Sequence, residues 1–482
     1  MKGQRYIYFL SAILFLLTNI LLYLYVKPAE DVSENFFYYL NLFSVVTFFI
    51  LYFQTIKIGG LITIHSIIQL FYFLFLYGRS LVYVFDPTRD FFETELLLYD
   101  NIGVKSMALA TLGVNTCIVC INAMYFLFGK KEVFNLKQVV PGKYVLIYYS
   151  LMFWALIYAF KLYLEFKYVL EVGYIAIYVG GLKEINYFSP IIQYSQVFYI
   201  GFFSYYLTLA PPKKQFMKLA IVYTILSFLD SLKGARISFI LPLFFIIWYY
   251  FNAYKLEVNY KLLWRASFFI VGIIAFSMIS KISRNSNMKN TNEEAVESNI
   301  IKAAILETGG TLQVVGRYLK HQDSFPINYP YVLEPVLYPY FYFRYFGIMT
   351  RGQSKEMLEY RNSLNHQLTA SISLEAYVGG RGVGSSIVAE FYQYGYFILI
   401  IFSIAYGFFL IQLYRYIFTR VILYLSPFIL THIFFIARDT AFPNIIGAIK
   451  GLFFLMIIKL ILLLLKKEGI HGRKPRVVPI RN

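Results

Sequence analysis

The sequence predicts an all-α, polytopic integral membrane protein with about 12 transmembrane helices. Its 482 residues are 59% hydrophobic and only 15% charged, whereas soluble domains carry about 25% charged residues. Apolar runs of about 20 residues recur from end to end, and each can cross a hydrocarbon core of about 30 Å as a helix. The connecting segments alternate between basic and acidic or mixed composition, which is typical of loops on opposite sides of a membrane.

Twelve apolar runs give the predicted helices in chain order. They cover residues 6–26, 37–56, 60–84, 105–128, 143–163, 190–210, 217–232, 236–253, 263–281, 385–412, 418–437 and 444–465. The first run is too long for a signal-peptide core, so we expect it to be retained. Helices 1 to 9 therefore occupy residues 1–281, a large loop with short helices occupies 282–384, helices 10 to 12 occupy 385–465, and a basic tail occupies 466–482.

The charges of the loops predict that both termini are cytoplasmic. Residues 1–5, 129–143, 211–218, 255–265 and 466–482 are rich in Lys and Arg and fall on one side of the predicted membrane. Basic loops of this kind remain on the cytoplasmic side. The net charge of +18 therefore reflects topology and attraction to membrane lipids. Nucleic-acid binding is not expected, because the basic residues are scattered among short loops.

The loop 282–384 lies on the outer face in this topology. Thr291 to Glu294 form a capping-box pattern that predicts an amphipathic helix ending at Gly309 and Gly310. Residues 325–347 are dense in Tyr, Phe and Pro, so we expect them to lie on the membrane surface or to insert into the helical bundle.

Three charges interrupt the apolar sequence between predicted helices 7 and 8. Asp230 closes helix 7, Lys233 lies in the turn and Arg236 begins helix 8, so all three are expected at the outer water boundary. One interpretation is an ordinary surface turn in which Asp230 pairs with Lys233 or Arg236. The other is a binding site, because a guanidinium group is a permanent cation whose planar fork suits phosphate oxygens.

More arginines are expected on the same outer side. Arg438 ends helix 11, so Arg236 and Arg438 would form a diphosphate clamp if both helix ends face one cavity. Arg284 and Arg344 are further binding candidates on this side. Solvated surface charges are the simpler interpretation of Arg317, Arg351 and Arg361.

A glycine-rich turn precedes predicted helix 10 in the sequence GGRGVGSSIVAEFYQYGYF, residues 379–397. Free backbone N–H groups at a helix start suit an anion, although a flexible connection into the helix explains the glycines equally well. Arg381, Gly382, Gly384 and Ser385 are the binding candidates here. Glu390 follows inside the predicted helix and is expected to face the interior or a partner such as an arginine.

The general base is left open by the sequence. His366 is a candidate because histidine titrates near neutral pH, and Asp230, Glu375 and Glu390 compete with it. His65 and His432 lie within predicted helices and are expected to make interhelical hydrogen bonds instead.

No metal or other cofactor is expected. Cys117 and Cys120 form a CxxC pair in the middle of an apolar helix without further ligands, so we interpret them as packing thiols. Glu93 and Glu95 could hold a divalent cation in an outer loop, but a solvated acidic face fits them better.

The layout and three short segments together resemble a known family. The segments are Lys233–Ser238, Gly379–Gly395 and Ala437–Pro443, and the layout is twelve helices with one large outer loop before the last three. Both are similar to the Wzy-type polymerases of bacterial oligosaccharide repeat units. The resemblance implies a GT-C-like fold and inverting, metal-independent transfer of glycans carried on undecaprenyl diphosphate, with the active site on the periplasmic face of the bacterial inner membrane.

The resemblance also implies roles and partners. By residue matching, Arg236 and Arg438 would bind the diphosphate leaving group, and Arg381 and Glu390 match the family pattern of the glycine-rich segment. His366 stands further ahead of this segment than the histidine of related ligases, so it is a catalytic candidate by residue type and not by the resemblance. The candidate binding residues are Lys233, Arg284, Arg344, Arg381, Gly382, Gly384 and Ser385. A chain-length regulator and a flippase are possible partners. A glycan ligase remains an alternative, and a flippase is disfavoured because the two halves of the chain do not match as transporter repeats do.

Overall fold

The structure is a computed structural model whose regular elements are all helical within the residues that it describes. These are residues 2–87, 101–129, 134, 142–172, 185, 187–233, 237–256, 302, 305–306, 308–325, 329–349, 353–380, 382–442 and 445–467. Several predicted features lie outside this set. They are predicted helix 9, the acidic residues Glu93 and Glu95, most of the predicted amphipathic helix after Thr291, and the basic tail after Lys467.

Fourteen described helices have eight or more residues, and we number these in chain order. They are α1 (Lys2–Val26), α2 (Glu34–Gly59), α3 (Ile64–Phe85, with a π turn at Phe73–Tyr77), α4 (Val104–Phe128), α5 (Gly142–Val172), α6 (Ser195–Thr208), α7 (Lys213–Ser231), α8 (Ile237–Ala253), α9 (Thr311–His321), α10 (Glu334–Arg344), α11 (Leu364–Ile372), α12 (Tyr396–Tyr416), α13 (Arg420–Phe435) and α14 (Ile445–Lys467).

Seven of the described helices are long and apolar enough to cross a membrane, namely α1 to α5, α12 and α13. The span that contains α13 includes the turn after it and ends at Arg438. Helix α8 is equally apolar but shorter. The prediction of a helical membrane protein is thereby confirmed. The count of twelve spans and the GT-C-like arrangement remain predictions.

Helix α4 forms the centre of the bundle. It packs against α1, α2, α9 and α12, and almost all of its side chains are buried. Cys117 and Cys120 are buried free thiols within it, and the Cys117 Sγ lies 3.2 Å from the hydroxyl of Tyr72 on α3. The interpretation of these cysteines as packing thiols is confirmed.

His65 at the start of α3 makes the interhelical hydrogen bonds expected of it. Its Nδ1 lies 3.1 Å from the Tyr414 hydroxyl of α12, and its Nε2 lies 3.2 Å from the Asn122 Oδ1 of α4. The same expectation is wrong for His432, which is exposed and faces Asp439 on its own chain segment at 3.5 Å. His432 lies in the last turn of α13, close to the turn that follows this helix.

Connections predicted to share one side of the membrane meet in space. Asn252, near the end of α8, donates to the Ile62 carbonyl between α2 and α3 at 2.9 Å. The Tyr254 hydroxyl donates to the Pro211 carbonyl between α6 and α7 at 2.7 Å. These contacts agree with the predicted alternation of the helices.

Residues of the long loop after position 301 cover the opposite ends of the bundle helices. We call this side of the bundle the loop face. Lys302 pairs with Asp86, just beyond the end of α3, at 2.6 Å. Lys320 donates to the Asn101 carbonyl just before α4 at 2.8 Å. The loop face is the side that the sequence predicts to be outside the cytoplasm.

Predicted helix 10 is interrupted in the structure, which corrects its boundary. A short helix covers Ile387–Phe391 and a 3-10 turn covers Tyr392–Tyr394, before Gly395 with φ 99° leads into α12 at Tyr396. That φ value breaks a right-handed helix and favours glycine. Glu390 therefore lies ahead of the membrane span and not inside it. We call residues 387–394 the junction helix.

Candidate functional site

The glycine-rich turn and the segment after α13 are joined by the buried side chain of Glu390. Its Oε2 accepts a hydrogen bond from the Ala441 backbone N–H at 2.9 Å, and its Oε1 accepts one from the Ser385 hydroxyl at 3.2 Å. Only 1% of Glu390 is exposed. Two segments that are separate in the sequence are thus held together three residues after Arg438.

Backbone geometry explains the glycines of this turn. Gly384 has φ 87°, a left-handed conformation that residues with a Cβ rarely adopt. The Val383 N–H donates to the Thr369 Oγ1 of α11 at 3.1 Å, and the Ser386 Oγ caps the junction helix. A Cβ at Gly382 would make ordinary van der Waals contacts, 3.8 Å from the Gln353 Nε2 and 3.9 Å from the Thr369 Oγ1. Several groups of the turn are therefore occupied in shaping it, and Arg381 lies outside the described residues.

The Glu390 carboxyl is expected to be neutral near pH 7. Burial, aided by the nearby Asp439, raises its pKa to about 8, although the hydrogen bonds from Ala441 and Ser385 act in the opposite direction. The prediction that Glu390 faces the interior is confirmed, and the partners that the structure gives it are Ser385 and Ala441. A neutral, fully buried carboxyl suits a positioning role better than contact with substrate.

Arg438 stands on the loop face at the end of the 3-10 turn that closes α13. Its side chain is exposed, whereas the preceding Ile436 and Ala437 are buried. Its guanidinium carbon lies 5.9 Å from the centre of the Phe75 ring, a distance compatible with a cation–π contact. The structure therefore presents an exposed arginine on a buried support at the loop-face end of α13.

Lys233 is held inside a buried charge cluster. Its Nζ lies 2.5 Å from the Asp230 Oδ1 and 2.6 Å from the Glu165 Oε2, and Glu165 also accepts from the Tyr187 hydroxyl at 3.0 Å. Lys161 lies 3.6 Å from Glu165. Burial alone would lower the pKa of Lys233, but the two carboxylates outweigh it and raise the pKa. The predicted pair of Asp230 with Lys233 is confirmed, and this lysine serves as an internal countercharge.

A second buried cluster lies in the long loop around Arg361. Its Nε donates to the Glu334 Oε1 at 2.8 Å, and its Nη1 lies 3.2 Å from the His366 Nε2. The His366 Nδ1 lies 2.9 Å from the Tyr377 hydroxyl. Because a guanidinium only donates, Nε2 accepts and Nδ1 carries the proton. Burial, aided by Arg361, lowers the pKa of His366 to about 3, so the imidazole is neutral and both of its nitrogens are engaged.

The expectation of solvated charges is wrong for two arginines of this loop. Arg361 is largely buried against Glu334, with 18% of its side chain exposed, and Arg317 is 6% exposed. Each lies where the loop packs against itself or the bundle, so its charge is shielded from water. Arg351 lies outside the described residues.

The junction helix also holds the long loop. The Gln393 Oε1 accepts from the Tyr331 N–H at 2.7 Å, and its amide donates to the Tyr329 carbonyl at 3.1 Å. Tyr329 in turn donates to the Glu334 Oε2 at 2.5 Å. The junction helix therefore connects the segment carrying Arg438 to the cluster around Arg361.

The remaining predicted residues are not brought together by the described part of the chain. Arg236 and Arg284 lie outside it, so the clamp of Arg236 with Arg438 remains a prediction. Arg344 is exposed on α10, where its guanidinium lies over the rings of Tyr340 and Tyr345. Among the described residues, no group of three His, Cys, Asp or Glu side chains could hold a metal ion.

Three residues that hold these clusters were not predicted from the sequence, namely Glu165, Glu334 and Gln393. Arg79 on α3, which is 7% exposed, was not predicted either. A signal was available for two of them. Arg79 is a single charge inside a long apolar run, and Glu165 is an acidic residue close to the end of another, and charges so placed tend to face the bundle interior.

The chain matches the family model described as O-antigen polysaccharide polymerase Wzy over residues 6–468. No curated protein and no solved structure matches it. The match covers nearly the whole chain, including the glycine-rich turn, the junction helix and the segment after α13. The resemblance noted in the sequence is confirmed, and the chain belongs to the O-antigen polysaccharide polymerase Wzy family.

Proposed function

We propose that this protein joins oligosaccharide repeat units carried on undecaprenyl diphosphate, by inverting and metal-independent glycosyl transfer on the outer face of the bacterial cytoplasmic membrane. Family membership implies a repeat-unit polymerase that acts on a lipid-linked oligosaccharide in a membrane. The basic loops described above favour cytoplasmic termini, which leaves Arg438 and the loop face on the outside.

The observation that carries the proposal is the hydrogen bond from Ala441 to Glu390. By joining the segment after Arg438 to the glycine-rich turn, this bond holds the cation in place before substrate arrives. When the anomeric C–O bond breaks, its electron pair passes to the bridging oxygen of the diphosphate. A preorganised guanidinium stabilises that growing charge. Arg236 is the proposed second cation.

Glu390 and His366 act as positioning residues in this scheme. Glu390 is neutral and engaged with Ser385 and Ala441, and His366 is neutral and engaged with Arg361 and Tyr377. Neither presents a free basic atom to an acceptor sugar. Their bonds instead hold the turn and the loop that surround the outer end of α13.

We assign the general base to His432, oriented by Asp439. The two side chains lie 3.5 Å apart, 47% and 27% exposed, beside Arg438. An imidazole whose Nδ1 donates to a carboxylate leaves Nε2 to take the proton of the acceptor hydroxyl, and the carboxylate then stabilises the imidazolium. The contact is long, and it is expected to tighten when substrate is bound.

The test uses purified protein in detergent with a lipid-diphosphate-linked oligosaccharide. The unaltered protein should produce longer lipid-linked glycans, and Arg438→Ala should slow elongation about 100-fold or more. Arg420→Ala is the matched control, because Arg420 is an exposed arginine at the opposite end of the same helix. Normal elongation by Arg438→Ala would overturn the role of Arg438.

The same assay separates the alternatives. Detergent provides no second compartment, so elongation by the unaltered protein excludes a pure flippase. Transfer only to an unrelated acceptor would indicate a ligase. A folded protein that yields neither product would contradict the proposed function.

A further inference from the structure

Helix α10 in the long loop buries its acidic residue and the ion pair that this residue makes. Glu334 is 3% exposed and pairs with Arg361 at 2.8 Å, and the Tyr338 ring lies 4.9 Å from the Arg361 guanidinium carbon. These residues form the face that packs onto the rest of the loop. A helix in water shows the opposite arrangement, with its charged face outside.

The outer face of α10 is an apolar stripe. Leu333, Val336, Tyr340 and Phe343 are 42%, 47%, 54% and 80% exposed. At 3.6 residues per turn these four positions fall within an arc of about 80° on one side of the helix. Because the buried ion pair anchors the opposite face, the helix is not free to rotate this stripe inward.

Arg344 lies at the edge of the stripe. Its guanidinium carbon is 5.7 Å from the Tyr340 ring centre and 5.3 Å from that of Tyr345, and its Nη1 donates to the Tyr340 hydroxyl. An exposed arginine among tyrosines is typical of the boundary between lipid and water, where the rings lie at headgroup depth and the cation reaches the phosphates.

The helix that carries the stripe packs against a long helix of the bundle that also exposes apolar side chains. Helix α10 packs against α14, whose Leu452, Phe453, Met456 and Leu460 are 47% to 62% exposed. In a membrane protein, such a surface on an apolar helix of 23 residues faces lipid.

We propose that α10 is an interfacial helix that lies in the outer leaflet of the membrane, with its stripe among the lipid chains and Arg344 at the headgroup phosphates. This places one part of the long loop on the membrane itself, beside the outer ends of the spans. The proposal rests on the membrane location of the chain and not on the reaction. It assigns Arg344 to lipid, although the sequence makes it a candidate for substrate binding.

A spin label at position 343 tests this placement. The native Cys117 and Cys120 are buried, so Phe343→Cys provides one accessible thiol. The labelled protein would be reconstituted into phosphatidylethanolamine and phosphatidylglycerol vesicles, and its collisions with oxygen and with a water-soluble nickel chelate compared. Ser324→Cys is the water-exposed control in the same loop, and Phe453→Cys is the lipid-exposed control on α14.

The label at 343 should favour oxygen over nickel, at a depth of about 5–10 Å below the headgroup boundary. Nickel accessibility equal to that at 324 would overturn the proposal, because the stripe would then be in water. Protection from both reagents would overturn it in favour of a protein partner such as a second copy. If the nickel chelate reached the label until lipid-linked oligosaccharide was added, the proposal would be overturned in favour of a surface on which glycans stack.

Discussion

The buried carboxyl of Glu390 makes the stability of this protein depend on pH in a way that one substitution can isolate. Burial raises its pKa from 4.5 to about 8, so the folded protein holds a proton that the unfolded chain releases. The resulting stabilisation is complete below about pH 4.5 and is lost as the pH rises through about 8. Between these limits, one bound proton changes the free energy of unfolding by about 1.4 kcal/mol per pH unit.

Glu390→Gln removes this titration while keeping the size and neutrality of the side chain. The amide oxygen can accept from the Ala441 N–H, and the amide nitrogen can donate to the Ser385 hydroxyl. Apparent Tm would be measured in detergent for both proteins from pH 5.5 to 8.5. The unaltered protein should lose Tm relative to the Gln variant as pH rises, since all other titrating groups are common to both and cancel in the difference.

Two outcomes would contradict these expectations for Glu390. A constant difference in Tm across this pH range would refute the assignment of a neutral Glu390. Glu390→Ala provides a second readout, because it leaves the Ala441 N–H without its acceptor and should be less stable than the Gln variant by about 1–3 kcal/mol at every pH. An Ala variant as stable as the Gln variant would show that the hydrogen bond to Ala441 is not needed.

Two other predictions concern the clusters at the loop face. Arg361→Ala should lower the free energy of unfolding by about 3–5 kcal/mol, because it leaves Glu334 buried without its countercharge. Adding Glu334→Gln should recover part of that loss in thermal melts, whereas additive losses would contradict the pairing. His432→Gln should slow elongation about 100-fold or more with binding of the lipid-linked substrate preserved, and Asp439→Asn should slow it less. Unchanged elongation by His432→Gln would rule out His432 as the base.

The helices of the bundle were predictable because the membrane imposes a length and an apolar composition on each of them. Differences arose where local backbone groups decide a boundary. Thr63 caps α3 by accepting from the Ser66 N–H at 3.2 Å, so this helix begins at Ile64 and not at residue 60. Gly395, with its positive φ, delays α12 to Tyr396. The apolar sequence continues across the starts of both helices, so composition alone does not indicate either boundary.

The candidate site was predictable in its residue types but not in its pairings. Arg438 and Glu390 stood out as charged residues beside apolar runs. Nothing in the sequence indicates that Glu390 meets Ala441, because the two are 51 residues apart and backbone donors look alike at every position. The surroundings of His366 were not predictable either, because nothing in the sequence indicates that Arg361, five residues before it, turns inward and meets its Nε2.

The charge cluster around Lys233 has a consequence for how this chain is made. Glu165 and Lys161 belong to α5, and Glu165 is synthesised 68 residues before Lys233. During that interval the Glu165 carboxylate lacks Lys233, and the nearest described cation is the more distant Lys161, at 3.6 Å in the finished fold. Helix α5 is therefore expected to remain near the insertion machinery until the turn after α7 arrives, so that these segments enter the bilayer as one assembly step.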